Sequence, residues 1–154
     1  MSQKVAYSLR SAECNDLQFL FKVSMGLSQE EKDFDRTTAL AQYKEKFEPS
    51  KIQVIQYQGQ DVGRLRVEKS STSLYVGGIH LLPEFQGLGI GSSIFANLIE
   101  ESKRAKVPIT LEVFDVNSAF KFYSKLGFVQ TGYNKEKRYK TLVYYPDYTS
   151  STRQ

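Results

Sequence analysis

The segment Gln86-Gly87-Leu88-Gly89-Ile90-Gly91-Ser92 constrains the fold most, because it joins a β-rich run directly to a helix-period run. Glycine admits positive φ and lets another group approach without a Cβ in the way. Ahead of the segment, Leu74 to Leu82 reads as an apolar strand that ends at Pro83. It holds Gly77-Gly78, a pair that marks a bulge or a close approach when it falls inside a strand. Behind the segment, Ile94, Phe95, Leu98, Ile99 and Ala105 recur at helical spacing, which predicts a helix from about Gly91 to Lys106. Glu100, Glu101, Lys103 and Arg104 then face water. Free amides at a helix start carry partial positive charge, so such a turn can cradle a phosphate. A plain strand-to-helix turn with glycines for packing is the alternative.

The same reading extends along the chain. Val5 to Arg10 reads as a first strand. A helix follows from Asp16 as N-cap, with Leu17, Leu20, Phe21 and Leu27 on one stripe. A second helix, capped by Asp33, carries Leu40, Tyr43 and Phe47 and stops at Glu48-Pro49. Ile52 to Tyr57 and Val62 to Glu68 form a hairpin across Gln58-Gly59-Gln60-Asp61, and Ser70 to Ser73 make the next turn. Ile109 to Phe114 is a buried strand. Asn117 caps a short helix with Ala119, Phe122, Tyr123 and Leu126 on one face, closed by Gly127 and Phe128. Phe128 to Thr131 and Lys140 to Tyr145 are closing strands. The order β-α-α-β-β-β-α-β-α-β-β describes an α/β fold, one mixed sheet with helices on its faces.

The chain of 154 residues fits a single domain over 1–148, followed by a polar tail, 149–154, that frays. A net charge of +4, spread along the chain, helps an anionic ligand approach but makes no nucleic-acid stripe. The basic loop Lys135, Lys137, Arg138 and Lys140 reads as solvated, and the late tyrosines as strand packing. Cys14, the one cysteine, allows no intramolecular disulfide and reads as a small buried or half-buried hydrophobe. One His and scattered carboxylates give no metal site. No apolar run approaches the ~20 residues of a membrane span, which leaves a cytoplasmic protein with no membrane partner as the expectation.

Two other phosphate motifs fit poorly. Gly87-x-Gly89-x-x-Ser92 approaches the dinucleotide fingerprint, with Glu112 near the ribose position, but the third glycine is missing and the turn follows three hairpin-linked strands. A P-loop fails because no Gly-Lys-Ser/Thr follows.

Gln86, Gly89 and Gly91, set as Gln-x-x-Gly-x-Gly between a strand and an amphipathic helix, resemble the coenzyme A pyrophosphate loop of the GNAT superfamily of N-acetyltransferases. The run Ala119 to Phe128 is similar to that family's Ala-x-x-x-Tyr-x-x-x-Gly-Phe helix. In the family an Asn usually stands three residues before that Ala; here position 116 is Val, and Asn117 comes one step late. The resemblance covers Ile52 to about Tyr144 and reaches Met1 to Ser50 only in element order.

It implies an acetyl-coenzyme A-dependent N-acetyltransferase acting on an amine acceptor, a small molecule or a protein, without metal; a homodimer is compatible. Main-chain amides of Gly87, Leu88, Gly89, Ile90, Gly91 and Ser92, with Gln86, are then expected at the diphosphate, so that a branched side chain at Gly89 blocks it. Ile79 and Leu81 pair with the pantetheine arm, Asn117 is a further contact, and an amide near Gly77-Gly78 serves the oxyanion. Tyr123 becomes the general acid that protonates the leaving thiolate, a transfer uphill by ~2 kcal/mol at ordinary pKa values. Tyr75 stands where the family often has Glu or His, and a phenol is a poor base at neutral pH. Glu112, opposite in direction to Leu111 and Val113, is the first candidate base. Glu68, His80 and a water chain are the others. A non-catalytic acyl-coenzyme A sensor on the same scaffold is the competing function. The acceptor side is expected at 25–47 and 132–140, where Glu30, Glu31, Asp33 and Asp35 either attract a cation or form an acidic helix start.

Overall fold

Strands and helices follow in the expected order: β1 (Ser8–Ser11), α1 (Leu17–Ser24), α2 (Arg36–Glu45), β2 (Gln53–Tyr57), β3 (Gln60–Lys69), β4 (Leu74–Leu81), α3 (Ile90–Ala105), β5 (Ile109–Phe114), α4 (Phe120–Leu126), β6 (Val129–Asn134) and β7 (Tyr139–Tyr144). The structure, a computed structural model, describes residues 4–26, 36–114 and 119–146, without the Arg36 side chain. Leu27, Glu30, Glu31, Asp33, Asp35, Asn117, Tyr148 and the tail lie outside them.

The strands form one seven-stranded mixed sheet in the order β1-β2-β3-β4-β5-β7-β6. The register of β4 with β5 is parallel and covers Leu74↔Ile109 and Tyr75↔Thr110. It thus stops short of Gly77-Gly78. The chain divides at those glycines and at two other points into two compact units, Met1–Arg66 with Gly78–Ile94 and Val67–Gly77 with Phe95–Gln154.

In the first unit, β2 and β3 meet through Gln58 and Gly59, both at positive φ (51° and 80°), the two-residue turn whose twist matches flanking strands. Ala12, Leu20, Ile52 and Val54 form its core, against which Phe19, Tyr43 and Phe47 pack. Asp16 does not cap α1: its side chain makes no cap hydrogen bond. Its carboxylate instead accepts two bonds from Arg10, at 2.8 and 3.0 Å, and one from the Glu13 amide at 2.8 Å. Arg10 also pairs with Asp61 at 2.8 Å. The pull of a cation six residues back outweighs local capping. Cys14 is exposed rather than buried, because it lies on a surface 3₁₀ turn, Cys14–Asp16. β1 begins at Ser8, three residues later than Val5.

In the second unit, Phe95 is fully buried and three rings pack edge-on around it, Phe122, Tyr123 and Phe128, with centroids 5.2–5.9 Å away. Burying one such ring contributes ~1.5–3 kcal/mol. Helix α4 starts at Phe120 with Ala119 in the N-cap position. Its far end matches expectation: Gly127 is left-handed, its amide donates to Ser124, and the Phe128 amide donates to Tyr123 at 3.0 Å. Phe128 then packs edge-on against Tyr123, the apolar contact that belongs to this cap. Ala105 is exposed, so the stripe of α3 ends earlier than predicted. Ser102 is buried there, and its hydroxyl donates to the Val107 carbonyl.

Candidate functional site

After β4 the chain makes a 3₁₀ turn at Pro83–Phe85, and the Gln86 side-chain amide reaches back to donate to the Leu81 carbonyl at 3.0 Å. Gly87 and Gly89 both take positive φ, 77° and 93°, which delivers the chain into α3 within four residues. The helix opens with the Ser93 amide donating to the Gly89 carbonyl at 3.1 Å. The amides of Ile90, Gly91 and Ser92 therefore precede the first intrahelical donor, Ser93, and point out of the helix start. Ile90 anchors this start with a buried side chain, while Gly87, Leu88 and Ser92 are exposed. Ile79 and Leu81 lie half-buried on β4. All of these residues belong to the first unit.

The two glycines have different surroundings. A Cβ at Gly87 meets nothing within 4 Å, whereas a Cβ at Gly89 comes within 3.0 Å of Val5 Cγ2. Val5 is held there by its amide, which donates to Ser93 Oγ at 2.6 Å. The chain's own N-terminal segment thus lies on the Cβ side of Gly89, and the open side is at Gly87.

Tyr123 belongs to the second unit and is 7% exposed. Burial pushes its phenol up to about 12. It is therefore protonated across the neutral range, as an acid must be, but proton transfer to a thiolate of ordinary pKa ~8.5 is uphill by about 5 kcal/mol rather than 2. Among the described residues its hydroxyl has no hydrogen-bond partner.

In the same unit the register of β4 and β5 brings together two residues named separately from the sequence. Tyr75 Oη donates to Glu112 Oε1 at 2.8 Å. Burial first, then the bond to Glu112, pushes the Tyr75 phenol up to about 12, so it acts as a donor and not as a base. Glu112 is solvent-exposed, as expected from its buried neighbours Leu111 and Val113. Glu68, also exposed, adds its charge near Tyr75.

His80 sits across from Arg64 in the first unit, with Nη1 of Arg64 3.1 Å from its Nδ1. Desolvation and then the Arg64 guanidinium charge push His80 down to about 4, although the residue as a whole is exposed; it is neutral at pH 7. Arg64 and Tyr43 carry unmet polar atoms that the sequence reading passed over. The available signal was an arginine set between Gly63 and Leu65 inside a β-rich run. At the expected acceptor side, a cavity of about 660 Å³ is lined by Met25, Ala39, Gln42, Tyr43, Glu45 and Lys46. Asn117 lies outside the described residues, among which no group of three or more His, Cys, Asp or Glu could hold a metal. No helix of the described residues is long and apolar enough to cross a membrane.

A family model described as acetyltransferase (GNAT) domain matches residues 23–145. Among solved structures, Ard1 from Thermoplasma volcanium is 21% identical, with a TM-score of 0.62 over 92% of this chain and 98% of that one. The PaiA N-acetyltransferase of Thermoplasma acidophilum, in complex with coenzyme A, is 16% identical, with a TM-score of 0.66 over 92% and 99%. Naa50 of Arabidopsis thaliana, in complex with the bisubstrate analogue CoA-Ac-MVNAL, is 25% identical, with a TM-score of 0.59 over 90% and 97%. The first two establish likeness of fold. No curated protein is similar enough to this chain to count as a relative.

Proposed function

The chain belongs to the GNAT acetyltransferase family, and from that premise we propose that it moves an acetyl group from acetyl-coenzyme A to a primary amine, by direct attack within a ternary complex. One observation carries this reading: two glycines at positive φ present successive helix-start amides beside an open face at Gly87. Such amides bind anionic oxygens through both geometry and dipole. Residues Gly87 to Ser92 grip the diphosphate, and Gln86 braces the turn through its bond to Leu81. The main chain of Ile79 and Leu81 pairs with the pantetheine arm, and Asn117 adds a contact.

The chemistry needs one base and one acid. The acceptor nitrogen attacks the thioester carbonyl and gives its proton to Glu112, whose carboxylate is held by the Tyr75 hydroxyl. The carbon–sulfur bond breaks, and the departing sulfur takes the phenolic proton of Tyr123. An amide near Gly77-Gly78 steadies the oxyanion. The carboxylate beside Tyr75 answers the missing acid at position 75 and favours an enzyme over a binding module.

The test is release of coenzyme A thiol across polyamines, amino acids, aminoglycosides and peptides. An enzyme releases thiol above background with at least one of them. Binding of acetyl-coenzyme A without release from any of them identifies a sensor.

A further inference from the structure

We infer that Arg64 is a carboxylate clamp for the acceptor, so that the amine acetylated by this chain belongs to a small amino acid. The inference rests on the acetyl-transfer reading of β4 and deepens it.

Arg64 stands on β3, half-buried, and its Nε is sealed from solvent without a hydrogen-bond partner. Among the described residues its side chain bonds His80 and no carboxylate. A charge in such a place is rarely left without a counter-ion, because its desolvation is otherwise uncompensated. The geometry of the fork is specific. Nη1 is committed to His80 Nδ1, which leaves Nε and Nη2, the parallel pair of N–H groups on one edge of the plane. That edge matches the two oxygens of a carboxylate. His80 is neutral and accepts at Nδ1, so it steers the guanidinium without neutralising it.

Two neighbours complete the site. Tyr43 Oη, from α2, is likewise buried and without a partner among the described residues, and it is near enough to act on the Arg64 charge. Seating a ligand oxygen at Nε requires a local rearrangement that opens this atom, after which the Tyr43 hydroxyl bonds the same ligand. Arg66 adds a second positive charge to the surroundings. The clamp is also fixed against β4: a Cβ on Gly63 would collide with the His80 carbonyl oxygen, and a Cβ on Gly78 would come within 2.9 Å of Arg64 Nη1. The guanidinium therefore lies against the strand one residue before Ile79, where the reading above places the pantetheine arm. A carboxylate held there brings the α-amine of the same molecule to the thioester end of that arm.

The experiment is calorimetric titration of the full chain, saturated with coenzyme A, with the standard L-amino acids and then with the carboxamide of each binder. At least one amino acid gives heat, and its carboxamide binds about ten- to a hundredfold more weakly, the effect of charge-assisted hydrogen bonds. Arg64→Lys keeps a positive charge but loses the fork, and the acid-to-amide ratio falls to within about threefold of one. Should that variant not fold, Tyr43→Phe, which removes one hydroxyl, lowers the same ratio. Equal binding of acid and amide, a ratio untouched by either variant, or heat from peptides alone overturns the clamp. Coenzyme A binding without heat from any amino acid overturns the clamp and leaves acetyl transfer standing. If coenzyme A itself gives no heat, the transfer reading fails, and the same titration on the free chain still decides the clamp.

Discussion

Replacing Gly89 by alanine separates what holds the Gly-rich turn together from what the turn is proposed to hold. At φ 93° a side chain carries a left-handed strain of ~1–2 kcal/mol. Its Cβ also lands 3.0 Å from Val5 Cγ2, a contact tight enough to displace the N-terminal segment at about 1 kcal/mol more. Gly89→Ala is therefore destabilised by about 2–3 kcal/mol, which for a chain of this length lowers Tm by ~5–10 °C. Gly87→Ala at φ 77° meets no atom, so it carries the strain alone and loses ~3–6 °C. Val5→Ala in the Gly89→Ala background restores about 1 kcal/mol, since it removes the methyl that the new Cβ meets. Thermal melts with and without acetyl-coenzyme A read both effects. Ligand at a hundred times Kd adds about 2.7 kcal/mol to the wild type. Gly87→Ala, with its Cβ on the open side, loses most of that gain while staying folded. Equal melting of the two glycine variants refutes the seating of Val5. An undiminished ligand shift in Gly87→Ala refutes the diphosphate assignment.

Tyr123→Phe removes a hydroxyl that has no partner among the described residues, so Tm moves little while turnover falls about a hundredfold or more and cofactor affinity holds; unchanged turnover in a thiol-release assay ends its role as acid. The Arg10 network sets the acid limit of stability. Its hydrogen bonds hold the Asp16 and Asp61 carboxyls below their ordinary range, Arg10 being the largest cause in each. A depressed folded pKa stabilises above the unfolded value near 4, and that stabilisation is lost as pH falls through the folded value. Tm measured from pH 7 down to 3 should drop steeply only below about 4, and Arg10→Gln should flatten the drop while lowering stability at pH 7 by about 2 kcal/mol.

The sequence carried what local chemistry decides. Gly127 and Phe128 close α4 as their types demand, and Gln58-Gly59 can hardly do other than turn a hairpin. The Gly-rich turn into α3 was legible for the same reason: glycine spacing at a strand–helix junction is a local constraint. What escaped was set by partners distant in sequence. Asp16 abandons α1 for Arg10, which Asp61 holds from 51 residues away. Tyr75 and Glu112 were each singled out, but their hydrogen bond depends on a parallel register that no local pattern states. Arg64 read as a strand residue because its significance lies in an Nε that finds no hydrogen-bond partner among the described residues, which only the fold reveals.

Amide NMR of labelled protein titrated with acetyl-coenzyme A reads directly whether helix-start amides between Gly87 and Ser92 grip the diphosphate. The Gly87, Gly89, Gly91 and Ser92 amides should move together and saturate as one site, with proton shifts downfield. Saturation with those four resonances in place, or no change anywhere at millimolar ligand, contradicts it.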